Sequence, residues 1–483
     1  MSKLPLVEGI LKYAKENNIS FSMPGHKGGL GFQSTEAGRL LYENFLKVDI
    51  TEVDGVDNLH HPEGIIKESL DLLSEFYNSR KSYFLVNGST SGNLAMIFAG
   101  FNEGDKVIVE RNCHRSIFNG IIMRKLEPIY ISSKISRKYN APMSIDMEHF
   151  LYFIEKHNDA KGIIITYPNY YGICSDLERV VKEAKKYNMK VFVDSAHGAH
   201  FGVCEELPHS ALDLGADMVV MSSHKTLPSL TQTAYLHVGK NSEIDLSRID
   251  FYVSSFLSTS PSYMFMCSMD YARYYLQEFG KESYRDLIAM ANKYREKINS
   301  LNWLKVLSEG DIINELGIER KKYPMMDTSR FVINLKRGLS GHKLLDYLRS
   351  RKIQCEMSDS SNIVLIFSPF NSEEDFIKLY YALEECDTDK LKDRILEIQD
   401  IYIPKAALMP WQALEKEKKK VPIDEALGKI CGLQIVPYPP GIPLINIGEI
   451  IDKTAIDMIK CYLKDNVTIL GLEDREITIA VEE

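Results

Sequence analysis

Short apolar runs punctuate the chain between residues 82 and 238: Ser82–Val86, Lys106–Glu110, Pro128–Ile131, Gly162–Thr166, Lys190–Asp194, Met218–Met221 and Ala234–Val238. Each is too short and too evenly apolar for a surface helix, and reads as a strand buried on both faces. Stretches with helical spacing separate several of them, as in Leu177-Glu-Arg-Val-Val-Lys-Glu-Ala-Lys-Lys-Tyr187. This alternation predicts an α/β domain built on a mostly parallel, seven-stranded sheet. Upstream, residues 4–17 have the pattern of a short amphipathic helix. Downstream, a long helical stretch from about Tyr263 to Leu301 leads into a second region that mixes helices with strands at Arg330–Leu335 and Ile363–Phe367. The expected organisation is an N-terminal arm (1–50), a major domain (51–300) and a smaller α/β C-terminal domain (301–483). The charged run Lys416–Lys420 is expected to be solvated and outside any sheet.

Composition narrows the class. A chain of 483 residues is too long for one core. Its 45% hydrophobic and 26% charged content is that of a globular protein. A net charge of -9 argues against a nucleic-acid partner. No apolar run reaches membrane-spanning length, and Leu4-Pro-Leu-Val is broken at Glu8, so a cytoplasmic location is expected, with no membrane partner. The eight cysteines form no Cys-x-x-Cys pair, which points away from a disulfide framework or a structural zinc.

Chemistry concentrates where the strands end. Asp194 closes one apolar run, in Asp-Ser-Ala-His-Gly-Ala-His, and Lys225 follows another, in Ser222-Ser-His-Lys225. Neighbouring buried strands would present this acid and this amine at the C-terminal sheet edge, where ligands bind. An acid and a lysine there suit a cofactor with a basic nitrogen and an aldehyde, namely pyridoxal 5'-phosphate (PLP). A carboxylate at the pyridine nitrogen keeps it protonated; the alternative for Asp194 is a capping role in a β–α loop. Strand Ser82–Val86 runs into Asn87-Gly-Ser-Thr-Ser-Gly-Asn93, whose Ser89, Thr90 and Ser91 at a helix start suit a phosphate, or a plain N-cap turn. Gly88-x-Thr90-x-Gly92 also resembles a nucleophile elbow, with threonine in place of the usual serine or cysteine. His114 follows strand Lys106–Glu110 and could be structural, a metal ligand or a platform for a flat ring. His197 and His200 hint at a metal pair, but no third ligand stands at matching spacing, so no metal is expected. Lys27, in Met23-Pro-Gly-His-Lys-Gly-Gly-Leu-Gly31, rivals Lys225. That loop imitates a dinucleotide fingerprint but follows no strand and precedes the sheet, whereas the cofactor lysine needs a rigid, desolvated seat. Ser222 and His224 are placed to hold phosphate or order the lysine.

Eight stretches carry a resemblance, in order along residues 20–450: Pro24–Gly29, Asp57–Gly64, Asn87–Ser91, Arg111–His114, Asp194–His200, Ser222–Lys225, Ser258–Ser262 and Pro437–Pro443. Together they resemble the Orn/Lys/Arg decarboxylase family, in a compact form without an N-terminal wing domain. The resemblance implies the aspartate aminotransferase-like fold (fold type I) and PLP bound through Lys225. It further implies Asp194 at the pyridine nitrogen, His114 stacked on the ring, and Ser89, Thr90, Ser91 and Ser222 on the phosphate. His197 and His224 complete the cofactor-binding set. The catalytic set is then Lys225, Asp194, His114 and His224, with Lys225 or His224 returning a proton to the α-carbon. Glu356 or Asp359 would receive the distal cation of a basic amino acid. The implied reaction is α-decarboxylation of such a substrate, with arginine favoured over lysine and ornithine because the chain resembles arginine decarboxylases of polyamine biosynthesis. An aminotransferase or lyase of the same fold, or a non-catalytic PLP-binding protein, is the alternative. A homodimer is expected, with the active site at the subunit interface and Thr259-Ser260-Pro261 reaching the partner's cofactor. Two departures from the family pattern, Pro404-Lys-Ala-Ala407 for Pro-Arg-Glu-Ala and the Ser195 and His197 pair, bear on substrate choice.

Overall fold

The computed structural model describes residues 3–395, 403–438, 443–464 and 467–481. Its centre is one seven-stranded sheet in the order Ser79–Leu85, Ala234–Gly239, Met218–Met221, Lys190–Asp194, Gly162–Thr166, Lys106–Glu110, Glu127–Ile131. Ala234–Gly239 runs antiparallel to both neighbours, and the other pairings are parallel. The evenly apolar runs are buried as their composition requires: Ile163 to Ile165, Val191 to Val193 and Met218 to Met221 lie inside the core. Register aligns the strand ends. Thr166 pairs with Asp194 and Asp194 with Val220, so the polar residues that follow these strands emerge at one sheet edge. The helix Gly88–Gly100 crosses the sheet closely enough that a Cβ on Gly100 would lie 2.1 Å from the Phe192 ring.

All seven strands read from the sequence form, with ends shifted by at most three residues. The first begins at Ser79 rather than Ser82. The long helix spans Tyr263–Asn299 and packs Tyr284, Leu287 and Tyr294 into the main core. Beyond it, Leu304–Val306, Arg330–Leu335, Asn362–Ile366 and Met357–Ser358 form a four-stranded antiparallel sheet. The N-terminal strand Ile19–Phe21 pairs in parallel with Ile353–Cys355, tying the arm to this second region.

The C-terminal segment has its own apolar cluster around Ile435, Ile445, Ile456 and Ile477. Here the reading of Lys416–Lys420 is corrected. Lys418–Pro422 is an edge strand paired antiparallel with Glu476–Ala480. Lys419 and Lys420 stay exposed while Val421 is buried, so one inward apolar residue and the ladder bonds suffice to form the strand. Of the Pro437–Pro443 motif, residues 439–442 lie outside the described residues.

Candidate active site

Asp194 ends its strand 2% exposed. Its Oδ1 accepts the Ala196 N–H at 3.1 Å and its Oδ2 accepts Asn93 Nδ2 at 2.9 Å. Asn93, one turn into the helix Gly88–Gly100, gives its other Nδ2 hydrogen to Ser116 Oγ at 2.9 Å. Ser116 in turn meets His114 Nδ1 through its hydroxyl (2.9 Å) and its backbone N–H (3.3 Å). Because Nδ1 accepts, the neutral imidazole carries its proton on Nε2. Burial lowers the His114 pKa, with Asp194 opposing and Lys225 adding to the shift. A continuous chain, His114–Ser116–Asn93–Asp194, therefore joins two strand ends through side chains of two helices.

Lys225 sits in the single turn Ser223–Thr226 that follows the strand Met218–Met221. Its Nζ is 3.0 Å from His197 Nε2 and 5.8 Å from the centroid of Tyr170. Burial depresses the Lys225 pKa while Asp194 and Glu356 pull it back up, which favours a nucleophilic free amine. His197 is buried, and burial together with the neighbouring Lys225 drives its pKa far down, so it is neutral. Its carbonyl accepts Arg330 Nη2 at 3.5 Å. Arg330 and Asp327 form a fully buried ion pair at 2.6 Å. His200 does not join His197; it meets Asp327 Oδ1 at 3.3 Å and Ser329 Oγ at 3.1 Å.

The hydroxyl-rich loop opens the helix Gly88–Gly100, with Gly88 at φ +76°, a backbone that L side chains rarely adopt. Ser89 is half-buried and Thr90 exposed at this N-terminus. Ser91 is spent differently: its Oγ donates to the Gly88 carbonyl at 2.7 Å and closes the turn. Ser222 is fully buried, and its Oγ has no hydrogen-bond partner among the described residues. The same holds for His197 Nδ1. Buried polar atoms without partners beside Lys225 fit a site made for a hydrogen-bonding group. His224 Nδ1 lies 2.7 Å from the Thr233 carbonyl, an obligate acceptor, so Nδ1 carries the proton and Nε2 has a lone pair. Burial brings its pKa down to about 4.

The two acids proposed for the substrate's distal end separate. Asp359 accepts from Tyr171 Oη at 2.6 Å, from the N–H groups of Ser361 and Asn362 at 2.7 Å each, and from Asn362 Nδ2. Its carboxylate is consumed by the fold, which corrects its reading as a substrate group. Glu356 is partly exposed, accepts the Met23 N–H at 2.9 Å through Oε2, and lies in the electrostatic field of Lys225. Lys27 is 5% exposed, its Nζ held by the carbonyls of Ser22 (2.5 Å) and Ile366 (3.0 Å).

Residues 4–333 match the Orn/Lys/Arg decarboxylase major domain, and residues 389–472 match the C-terminal domain of the same enzymes. The chain belongs to the Orn/Lys/Arg decarboxylase family. It is a decarboxylase with the aspartate aminotransferase-like fold (fold type I). Among its relatives, the uncharacterized protein YaaO of Bacillus subtilis is 33% identical over 99% of each chain. The arginine decarboxylase of Bacillus subtilis is 32% identical over 97% of this chain and 96% of its own. The Francisella novicida lysine decarboxylase LdcF superposes with a TM-score of 0.78 at 21% identity, over 99% of this decarboxylase and 81% of that chain. Sphingomonas wittichii serine palmitoyltransferase superposes with a TM-score of 0.56 at 14% identity, over 76% of this chain and 86% of its own.

Sequence reasoning missed Asn93, Ser116, Tyr170 and Arg330. Two had a signal. Asn93 is a polar residue directly before the apolar run Leu94–Ala99, and Arg330 is a charge at the head of an apolar strand. Each marks a buried group that needs a specific partner.

Proposed function

We propose that this decarboxylase binds PLP at the site around Lys225 and Asp194 and removes the α-carboxyl of a basic L-amino acid, arginine in first place, with lysine or ornithine next. The observation that carries the reading is the half-buried Lys225 amine, its pKa lowered by desolvation, in the field of a carboxylate that is itself fixed by Asn93 and Ala196. The arginine preference is supported by the 32% identity to the Bacillus subtilis arginine decarboxylase across almost all of both chains.

Lys225 would hold the cofactor's aldehyde, Asp194 its pyridine nitrogen, and Ser89, Thr90 and Ser222 its phosphate, with His114 against the ring. Bound there, PLP supplies an electron sink for the charge left when CO₂ departs. The chain supplies the rest. Asp194, anchored through Oδ1 and Oδ2, offers a negative charge that cannot swing away from the cofactor nitrogen. Lys225 is the better proton source for the α-carbon, because His224 Nε2 carries a lone pair near neutral pH. Glu356 receives the distal cation of the substrate, a charge-assisted contact that a neutral side chain cannot make.

The homodimer belongs to the same proposal, with Ser258–Ser262 reaching the partner's site, where Thr259 and Ser260 are exposed in one chain. The eight cysteines are free, which suits the proposed cytoplasmic location and role in polyamine synthesis. The test is CO₂ release from arginine, lysine and ornithine by the purified protein and by Lys225→Ala. Turnover of at least one substrate, abolished in the variant together with the visible absorbance of bound PLP, is expected. No CO₂ from any of the three, or full activity in the variant, overturns the proposal. An aminotransferase would instead yield a keto acid.

A further inference from the structure

The loop Met23–Gly31 includes none of the residues assigned above to the cofactor, yet it contains Lys27, a lysine only 5% exposed. We propose that Lys27 is a positioning residue that locks the Ser22–Lys27 loop against the second sheet and so presents Glu356 to the substrate's distal cation. The inference rests on the reading of Glu356 as that receptor.

Three contacts carry it. Lys27 Nζ bonds the Ser22 carbonyl at 2.5 Å, which closes its own loop, and the Ile366 carbonyl at 3.0 Å, which ties the loop to the strand Asn362–Ile366. That strand pairs with Met357–Ser358, the strand immediately after Glu356. From the closed loop, the Met23 N–H donates to Glu356 Oε2 at 2.9 Å. Glu356 is thus fixed by its own N–H, which donates to the Val364 carbonyl at 3.0 Å, and by the loop that Lys27 anchors. The loop is also seated on the Lys225 turn. The Gly25 N–H donates to the His224 carbonyl at 2.9 Å, and a Cβ on Gly25 would come within 2.6 Å of the Leu227 carbonyl oxygen. Lys27 adopts φ +48°, a left-handed backbone that the chain accepts to aim the ammonium inward.

Burial lowers the Lys27 pKa to about 7, against the pull of Glu356 and Asp375; His26, on the same loop, also faces it. The anchor survives deprotonation, because a neutral amine has two hydrogens and the site has two carbonyls. Above neutral pH the anchoring therefore acts without a cation competing for Glu356.

The test compares wild type, Lys27→Met, Glu356→Gln and the double variant as holoenzymes at about pH 8.5, above the value to which burial lowers the Lys27 pKa. KM for the preferred basic substrate is read beside inhibition by norleucine, whose side chain is uncharged, and beside PLP affinity from visible absorbance. Lys27→Met is expected to raise KM for the basic substrate by about tenfold, with norleucine inhibition and PLP affinity changed less than about twofold. In the Glu356→Gln background the same substitution is expected to add nothing. Equal losses for norleucine and the basic substrate, or additive effects in the double variant, would overturn the proposal and leave Lys27 a purely structural residue. If Glu356→Gln itself leaves KM unchanged, the receptor reading fails first. If Lys27→Met does not fold, Lys27→Gln keeps a donor for the two carbonyls, and a KM close to wild type is then expected; a tenfold rise in that variant would count against anchoring.

Discussion

In the proposed role of Asp194 at the cofactor's pyridine nitrogen, its two oxygens must stay in place, and a buried carboxylate drifts unless its lone pairs are directed. Asn93 directs one of them and passes the constraint on through Ser116 to His114. Asn93→Ala would leave Asp194 with one fewer donor and release the His114 ring. A loss of about 1–3 kcal/mol in transition-state stabilisation is expected, a fall in kcat/KM of roughly 5- to 150-fold. Steady-state kinetics beside Asn93→Asp gives the sign. The aspartate restores size but sets a like charge beside Asp194, so it should be the worse variant. An Asn93→Ala enzyme of wild-type kcat/KM would remove the relay from the account.

At the scale of elements, the loop that carries His114 is gripped from outside the major domain. Arg111 and Glu449, both almost fully buried, form a bidentate ion pair at 2.6 and 2.8 Å. Arg111 also donates to the Leu444 carbonyl, and the Asn446 N–H donates to Glu449. Ile122, at the end of the helix His114 caps, packs on Ala413, Ile430 and Ile447 of the C-terminal segment. Glu449→Ala strands a guanidinium in the interior and should cost about 3–5 kcal/mol. Thermal unfolding should show the loss, and Arg111→Met with Glu449→Leu should recover most of it. The main sheet was legible because its strands are buried on both faces and so are apolar throughout, as Val191-Phe-Val193 shows. Lys418–Pro422 was not legible, because an edge strand needs only Val421 inward and can expose lysines. Asp194 and Lys225 could be found because one ends such a strand and the other lies in the short turn after one. Glu356 and Asp359, three residues apart, could not be told apart, because only the three-dimensional placement of Tyr171 and Asn362 shows which carboxylate is already occupied.

At the scale of the whole molecule, several large apolar side chains near the N-terminus lie in solvent. The helix Pro5–Ala14 buries no residue, and Leu6, Ile10, Leu40 and Leu46 are between 60% and 86% exposed. Such a surface asks for a partner, and a symmetric second copy is the commonest answer. The stretch Ser258–Ser262 belongs to the same question. His60 bonds the Ser258 carbonyl at 2.8 Å, so the loop is held in shape although Thr259 and Ser260 themselves project into solvent. If that loop completes the partner's site, two defects on different chains must complement. Lys225→Ala removes the site of its own chain, and Thr259→Trp damages only the site of its partner. Mixed and re-associated, a heterodimer then keeps one site with an intact lysine and an intact partner loop. About half the dimers formed at random are mixed, and each has one good site of two, so roughly a quarter of wild-type activity should return from two inactive parents. Activity no greater than the parents' sum, in dimers verified as mixed, would place Ser258–Ser262 away from the active site.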